Sequence, residues 1–272
     1  VPEGDTIFRT ARTLDRALAG SRVSRFASLL PQLASLPVPG PVEGRTVDRV
    51  EPRGKHVLVH FSGALVLRTH LRMHGSWHIY RPGERWRAPR RDARIEIGTA
   101  EWVAVGFRIP VAEWLTEHGV ARHPVLTALG PDLLAESFDP AIARARLVAL
   151  GETPIADALL DQRAMAGLGN VYKSEVLFAC RVNPFRPVAS LDAATIDAIV
   201  RESMRLIRLN VRESSTAPAR GRRTTGRLAP DQGLWVYRRA RQACYRCGAK
   251  IQVRRSGTDA RSTYWCPQCQ PE

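Results

Sequence analysis

Four cysteines spaced Cys244-x2-Cys247-x18-Cys266-x2-Cys269 constrain this chain more tightly than any other feature. Each pair has the spacing of a tight turn that brings two thiols to one point, and the stretch between the pairs is long enough to form a hairpin. The pattern predicts one zinc ion held by four thiolates. With sulfur in every coordination position, none is left for water or substrate, so the ion is structural. A segment this short buries too little apolar surface to fold unaided, and metal ligation must supply much of its folding free energy. The fifth cysteine, Cys180, stands alone in an apolar stretch from Val176 and reads as a buried small hydrophobe.

The formal net charge of +15 and pI near 10.8 favour a polyanionic partner, since each cation placed on a phosphate releases condensed counterions. A charged but inert surface is the competing reading. Between Arg212 and Arg261 there are 13 Arg or Lys against three acids (Glu213, Asp231, Asp259), so most of the surplus lies in the C-terminal part. Of the 41 basic residues only Lys55, Lys173 and Lys250 are lysines. In such a background a lysine is a candidate for work that a wide, planar guanidinium does poorly. No run of about 18 apolar residues exists to cross a membrane, and the N-terminal residues lack the basic and apolar regions of a signal peptide. The chain is therefore expected to act in the bacterial cytoplasm, on nucleoid DNA.

The periodicity changes twice. Ile7, Ala11, Leu14 and Leu18 recur at helical spacing up to Gly20. From about Thr46 to Phe107 the pattern is strand-like, with runs at His56 to Phe61, Ala64 to Leu67, Ser76 to Tyr80, Arg94 to Ile97 and Trp102 to Phe107; Ser62-Gly63 and Gly98-Thr99 read as hairpin turns. Beyond Gly130-Pro131 the pattern is helical again. Thr153-Pro154 reads as an N-cap followed by proline at the first helical position, and Gly167-Leu168-Gly169-Asn170 interrupts two apolar helical segments. These features predict an α+β multidomain chain. Its parts are an N-terminal helix plus an antiparallel β domain over 1–121, a sandwich or partial barrel; a linker over 122–131; a helical domain over 132–234 with a helix-turn-helix outline and a mobile basic loop over 214–233; and a four-cysteine zinc-binding segment over 235–272.

Several short motifs, in order along the chain, resemble the formamidopyrimidine-DNA glycosylase and endonuclease VIII family: Pro2-Glu3-Gly4-Asp5-Thr6, Gly54-Lys55-His56, Gly167 to Tyr172 with Glu175, and Arg261-Ser262-Thr263-Tyr264-Trp265-Cys266-Pro267. The resemblance implies an N-terminal β-sandwich beginning with a helix, a helix-two-turns-helix domain and a zinc finger, and a bifunctional base-excision repair enzyme that removes an oxidised base and then cuts the strand. It takes damaged DNA as partner and acts as a monomer with one structural Zn2+ and no small-molecule cofactor. By the same resemblance Pro2 is the nucleophile, Glu3 the general acid and Lys55 a catalytic-site phosphate contact. Asn170 and Arg261 hold phosphates flanking the extruded nucleotide, and Arg72, Met73 and His74 lie where the family carries residues that fill the vacated space.

An N-terminal amine suits this chemistry. Its pKa of about 7.7–8.0, against about 10.4 for lysine, leaves far more of it unprotonated near neutrality. A secondary amine attacking the sugar C1′ gives an iminium with no N–H to lose, which serves as an electron sink for β- and then δ-elimination of the two phosphates. Glu3 would protonate the sugar ring or the departing base. Other roles compete: Glu3 as a mere helix N-terminal acid, Asn170 as a simple N-cap, and Met73 as ordinary core.

Two departures from the family pattern matter. Val1 precedes the proposed nucleophile, and an acylated nitrogen cannot attack. The expectation is that residue 1 is read from a non-AUG start codon, installed as Met and removed. Thr6 stands where many members have glutamate, and Gly106-Phe107-Arg108-Ile109-Pro110 is a poor substitute for the stretch with which the oxidised-purine branch reads the opposite base. The endonuclease VIII-like branch is therefore favoured, with oxidised pyrimidines and abasic sites as substrates. An oxidised-purine glycosylase, an abasic-site lyase and a non-catalytic zinc-finger DNA-binding protein are the alternatives.

Overall fold

The computed structural model describes residues 2–212, 222–227, 229–257 and 260–272. The chain divides into two compact units between Ala128 and Leu129. In the first, helix α1 (Gly4–Leu18) buries Ile7, Ala11, Leu14 and Leu18, the four positions its periodicity marks, and the chain turns away at Gly20 with φ +77°. Two four-stranded antiparallel sheets follow, in the orders β1-β6-β7-β5 and β2-β3-β4-β8. The strands are β1 (Arg25–Ser28), β2 (Val47–Arg53), β3 (His56–Phe61), β4 (Leu65–His70), β5 (Ser76–Tyr80), β6 (Ala93–Gly98), β7 (Val103–Phe107) and β8 (Val111–Thr116).

One apolar cluster is shared by α1 and both sheets: Leu14 and Leu18, Val57, Val59 and Phe61 of β3, and Trp77, Ile95 and Ala104 of the other sheet. Alternation puts these side chains inside and their neighbours outside, which makes the pair of sheets a sandwich. Asp15 of α1 accepts the main-chain N–H of Val50 at 2.7 Å, tying the helix to β2. Strands β1 and β8 were not foreseen from periodicity, because β1 is half-exposed and β8 alternates with only two buried positions. Two short helices, α2 (Glu117–Arg122) and α3 (Pro124–Thr127), close the unit.

The second unit contains α4 (Pro140–Val148), α5 (Ile155–Ala158), α6 (Asn170–Ala179) and α7 (Ala193–Arg212), then the hairpin β9 (Gln252–Ser256) and β10 (Arg261–Trp265). Pro154 is itself the N-cap of α5 and makes no side-chain cap bond, so Thr153 lies one position further out than expected. Ile196, Ile199, Val200 and Ile207 of α7 pack on Tyr172, Val176 and Leu177 of α6. Cys180 is half-buried at the end of α6, less enclosed than expected; burial still pushes its thiol up to about 12, which keeps it protonated and inert. Of the predicted basic loop, 214–221 and 228 fall outside the described residues. The described part is fastened: Arg223 N–H donates to Asn210 at 2.8 Å and Thr224 N–H to the Gly233 carbonyl at 2.7 Å.

Candidate active site and phosphate-binding residues

Pro2 directly precedes α1 and is half-buried. Glu3 is the helix N-cap, in extended conformation (φ −129°, ψ −176°), and its carboxylate makes no capping hydrogen bond although the residue is 0% exposed. Glu3 is therefore not a hydrogen-bonding cap of α1. Asp5, also buried, faces the Arg9 guanidinium at 3.4 Å and the Thr6 hydroxyl at 3.5 Å. Thr6 and Arg9 line a cavity of about 180 Å³ with Thr10, Thr13 and Trp77. Val1, whose fate bears on Pro2, lies outside the described residues.

Lys55 sits in the two-residue turn between β2 and β3, whose flanking residues Arg53 and His56 pair. Gly54, with φ +57°, supplies the left-handed residue that such a hairpin turn requires. The turn from Leu71 to Gly75 joins β4 to β5. Leu71 is buried, and Gly75 approaches so closely that a Cβ there would meet the Leu71 carbonyl at 2.6 Å. The residues between are pushed outward: Arg72 takes φ +47°, and Met73 is 57% exposed. Core packing is therefore not the role of Met73. Arg72, Met73 and His74 line a concavity of about 600 Å³ together with Arg108 and Pro110. Arg108 belongs to the stretch that matches the purine branch poorly, yet it lines the same concavity as Met73, tethered to Asp92 at 2.5 and 3.0 Å.

Beneath these turns lies a polar network that the sequence reading missed. Arg68 is ion-paired with Glu113 and donates to His56 Nδ1 at 2.8 Å, and His70 Nδ1 accepts the main-chain N–H of Arg72 at 3.0 Å. The two imidazoles meet edge-on at 4.8 Å. Since arginine and a peptide N–H only donate, both Nδ1 atoms must be unprotonated. The electrostatics agree: burial first, then the neighbouring His70 and the Arg68 guanidinium, which oppose a charge on His56, hold it down at about 2, and burial with Arg72 and Lys55 holds His70 at about 4. The signal was present as alternation, for His56, Arg68 and His70 occupy one face of the β3–β4 pair while Val57 and Leu67 point into the core.

In the second unit Asn170 is the first residue of α6, not its cap, which is Gly169. Its Nδ2 donates to the Ser262 carbonyl at 2.9 Å, linking residues far apart in the chain and setting the start of α6 beside β10, where the exposed Arg261 is the first residue. Two residues singled out as phosphate contacts are thus brought together. The Asn170 Oδ1 is buried and has no hydrogen-bond partner among the described residues. Further along α6, the fully buried Glu175 carboxylate accepts the main-chain N–H groups of Trp235, Val236 and Tyr237 at 2.7–2.9 Å and the Thr224 hydroxyl. Burial pushes this carboxyl up while those donors pull it down. Lys173 is buried in the same helix, and Lys250 is exposed.

The four cysteine sulfurs lie within 4.8 Å of one another, with Cys247 and Cys266 at 3.4 Å and Cys244 and Cys269 at 3.9 Å. Tetrahedral Zn–S bonds of about 2.3 Å put sulfurs about 3.8 Å apart, so the cluster has the size of a four-thiolate metal site. Gln270, fully buried, accepts the Cys266 N–H at 3.0 Å and donates to the Val182 carbonyl at 2.8 Å, fixing the site to the helical part.

Comparison with known proteins gives one consistent result. Residues 1–108 match the formamidopyrimidine-DNA glycosylase N-terminal domain and residues 129–219 the formamidopyrimidine-DNA glycosylase H2TH domain. The chain is 41% identical to a probable endonuclease 8 2 of Streptomyces coelicolor, over 99% of this chain and 94% of that protein. It is 39% identical to the DNA-(apurinic or apyrimidinic site) lyase Nei2 of Mycolicibacterium smegmatis, over 99% of each. Among solved structures it superposes on the Lactococcus lactis formamidopyrimidine-DNA glycosylase bound to DNA containing an AP site, with a TM-score of 0.82 over 99% of this chain and all of that one. At 22% identity this likeness speaks for the fold.

Proposed function

The chain belongs to the formamidopyrimidine-DNA glycosylase and endonuclease 8 family, and from that premise we propose that Pro2 and Glu3 carry out both halves of its chemistry, base excision and strand cleavage, on DNA holding an oxidised pyrimidine or an abasic site. The activity class is that of a DNA glycosylase and AP lyase of base-excision repair. The observation that carries the assignment of residues is the buried Glu3 carboxyl: it adjoins Pro2 and is not spent on capping α1.

Once its nitrogen is free of residue 1, Pro2 attacks C1′ of the damaged nucleotide. The N–C1′ bond forms, the glycosidic bond breaks, and the base departs with a proton from Glu3. Opening of the sugar, with a proton to O4′, leaves an iminium. Loss of the C2′ proton expels the 3′ phosphate, loss of the C4′ proton expels the 5′ phosphate, and hydrolysis returns the free amine. Lys55 on its hairpin turn, and Asn170 with Arg261 at the start of α6 and β10, hold phosphates near the extruded nucleotide. Arg72, Met73 and His74 enter the vacated space, Met73 as the apolar wedge. Cys244, Cys247, Cys266 and Cys269 would hold one zinc ion, which would serve as a structural staple for the hairpin whose strand β10 begins at Arg261. We assign the catalytic work to 1–121, joined by 122–131 to a DNA-binding part over 132–234 and a finger over 235–272. The working form is a monomer in the bacterial cytoplasm, at the nucleoid.

Borohydride reduction tests the reading. Wild-type protein with a thymine glycol or abasic duplex is expected to give a covalent protein–DNA adduct, and Pro2→Ala none. An adduct persisting in Pro2→Ala, or no adduct with any damaged duplex, overturns it.

A further inference from the structure

The segment between β5 and β6 is a second concentration of positive charge, far in sequence from the basic C-terminal part. Residues 81–94 hold six arginines and two acids. Both acids are engaged elsewhere: Asp92 by Arg108, and Glu84 by the main-chain N–H of Arg81 at 2.8 Å. Two of the arginines are also occupied, Arg81 over the Trp102 ring at 3.6 Å and Arg94 on the Arg91 carbonyl at 3.0 Å. The other four, Arg85, Arg87, Arg90 and Arg91, are exposed and form no ion pair among the described residues.

This charge is mounted on an ordered base. Tyr80, Val105 and Phe107 form a small apolar cluster on the outer side of their sheet, and Trp86 and Ala88 of the segment pack on it. The Trp86 ring meets Phe107 edge-on at 5.8 Å, Arg90 lies over Trp86 at 4.6 Å, and the Tyr80 hydroxyl accepts the Arg87 N–H at 3.2 Å. Holding four unpaired cations on a fixed platform costs self-repulsion that an anionic partner relieves. The segment leaves beside Val103, which pairs with Tyr80, and returns beside Phe107, which pairs with both Ser76 and Ala93. It thus runs back along the whole of β7, about 17 Å at the usual strand rise. It ends at Asp92, whose partner Arg108 lines the same concavity as Arg72, Met73 and His74.

We propose that Arg85, Arg87, Arg90 and Arg91 form a phosphate-binding strip that continues the DNA contact of the N-terminal unit from the Met73 turn along the duplex flanking the lesion, over about five base-pair steps. The inference rests on the reading of Met73 as the wedge in DNA. Continuity with that turn, and the regular run of unpaired cations along β7, favour a nucleic-acid backbone over an acidic protein as occupant.

The test uses full-length protein and two abasic duplexes, one extending ten base pairs on each side of the lesion and one only three. With all four arginines changed to glutamine, affinity for the long duplex is expected to fall roughly 10-fold or more near physiological salt. The slope of log K against log salt should become shallower by about 3 to 4, with little change on the short duplex. The four Arg→Lys changes should retain the wild-type slope, because a point charge still neutralises a phosphate. Borohydride trapping at saturating protein reports separately whether wild type has the proposed chemistry. If the glutamine variant is not trapped, Arg85→Gln with Arg87→Gln, which leaves Arg90 on Trp86, should lower the slope by about 2. An unchanged slope, or equal losses on both duplexes, overturns the proposal; an unchanged slope with normal trapping is the result an acidic protein partner would give.

Discussion

The β-sandwich and the four-cysteine finger reach order by opposite means. In the first unit, one cluster of 22 buried apolar residues joins α1 to both sheets, and no ion is needed to hold it. Around the cysteines the corresponding cluster contains Phe178, Val236, Ile251 and two of the cysteines themselves. Apolar burial at about 25 cal/mol per Å² can stabilise the sandwich, whereas the finger relies on ligation and on buried polar contacts such as Gln270 and Glu175. Consequently the end proposed for chemistry and one end proposed for phosphate binding should fail under different conditions.

Metal removal should separate them most. Structural zinc sites contribute about 10–16 kcal/mol in isolated fingers, so a strong chelator is expected to unfold residues 240–270 and abolish tight DNA binding while the sandwich remains folded. Limited proteolysis read by mass spectrometry distinguishes the parts, and Cys266→Ser should behave like chelation. A mutant that keeps full affinity and a protected finger would break the comparison. The converse change is Leu67→Ala, in the middle of β4 and fully buried; it should cost about 2–5 kcal/mol in urea unfolding of the sandwich and leave metal content unaltered.

The sandwich should also respond to pH through its own histidines, independently of thiolate protonation at the finger. His56 and His70 have folded pKa values of about 2 and about 4, below the unfolded value of about 6.5, so their contribution is complete above pH 6.5. It is lost as pH falls, because the unfolded chain then binds protons that the folded one refuses; the slope is about 1.4 kcal/mol per pH unit for each site. His60 has the opposite sign. Burial opposes its cation, but hydrogen bonds to Glu51 at 3.2 Å and Glu117 at 2.6 Å override that and raise its pKa, so its contribution is present below about 6.5 and lost at higher pH. Sandwich stability should therefore peak near neutrality. His70→Asn should flatten the acid limb of the urea midpoint against pH, and an unchanged limb would assign the acid sensitivity elsewhere.

How much was legible in the sequence differs between these regions for a physical reason. The cysteine spacing and the Ile7 to Leu18 stripe are local patterns whose geometry follows from turn and helix periods, and both appear as read. The bond from Asn170 to Ser262 and the Arg68 network depend on which strands and helices come to lie together, which no local period encodes. Arg108 does not stand out in the sequence, because its neighbours fit the family pattern poorly. Its importance lies in where the sheet register delivers it, with Phe107 opposite Ser76 at the edge of the 71–75 turn.

The smallest stability effect should accompany one of the more specific functional ones. Met73 is more than half exposed and Gly75 closes the turn without it, so Met73→Ala should change sandwich stability by no more than about 0.5 kcal/mol. A wedge works only when a base must leave a paired stack. The variant should therefore lose excision of a lesion in a fully paired duplex, while cleavage of an abasic site in single-stranded DNA stays near wild type. Single-turnover rates on the two substrates check this, because a defect in the Pro2–Glu3 chemistry would lower both and a folding defect would lower both along with the urea midpoint. Equal rates for Met73→Ala and wild type on paired DNA would remove Met73 from the wedge role and leave Arg72 and Arg108, which line the same concavity, as the residues to test next.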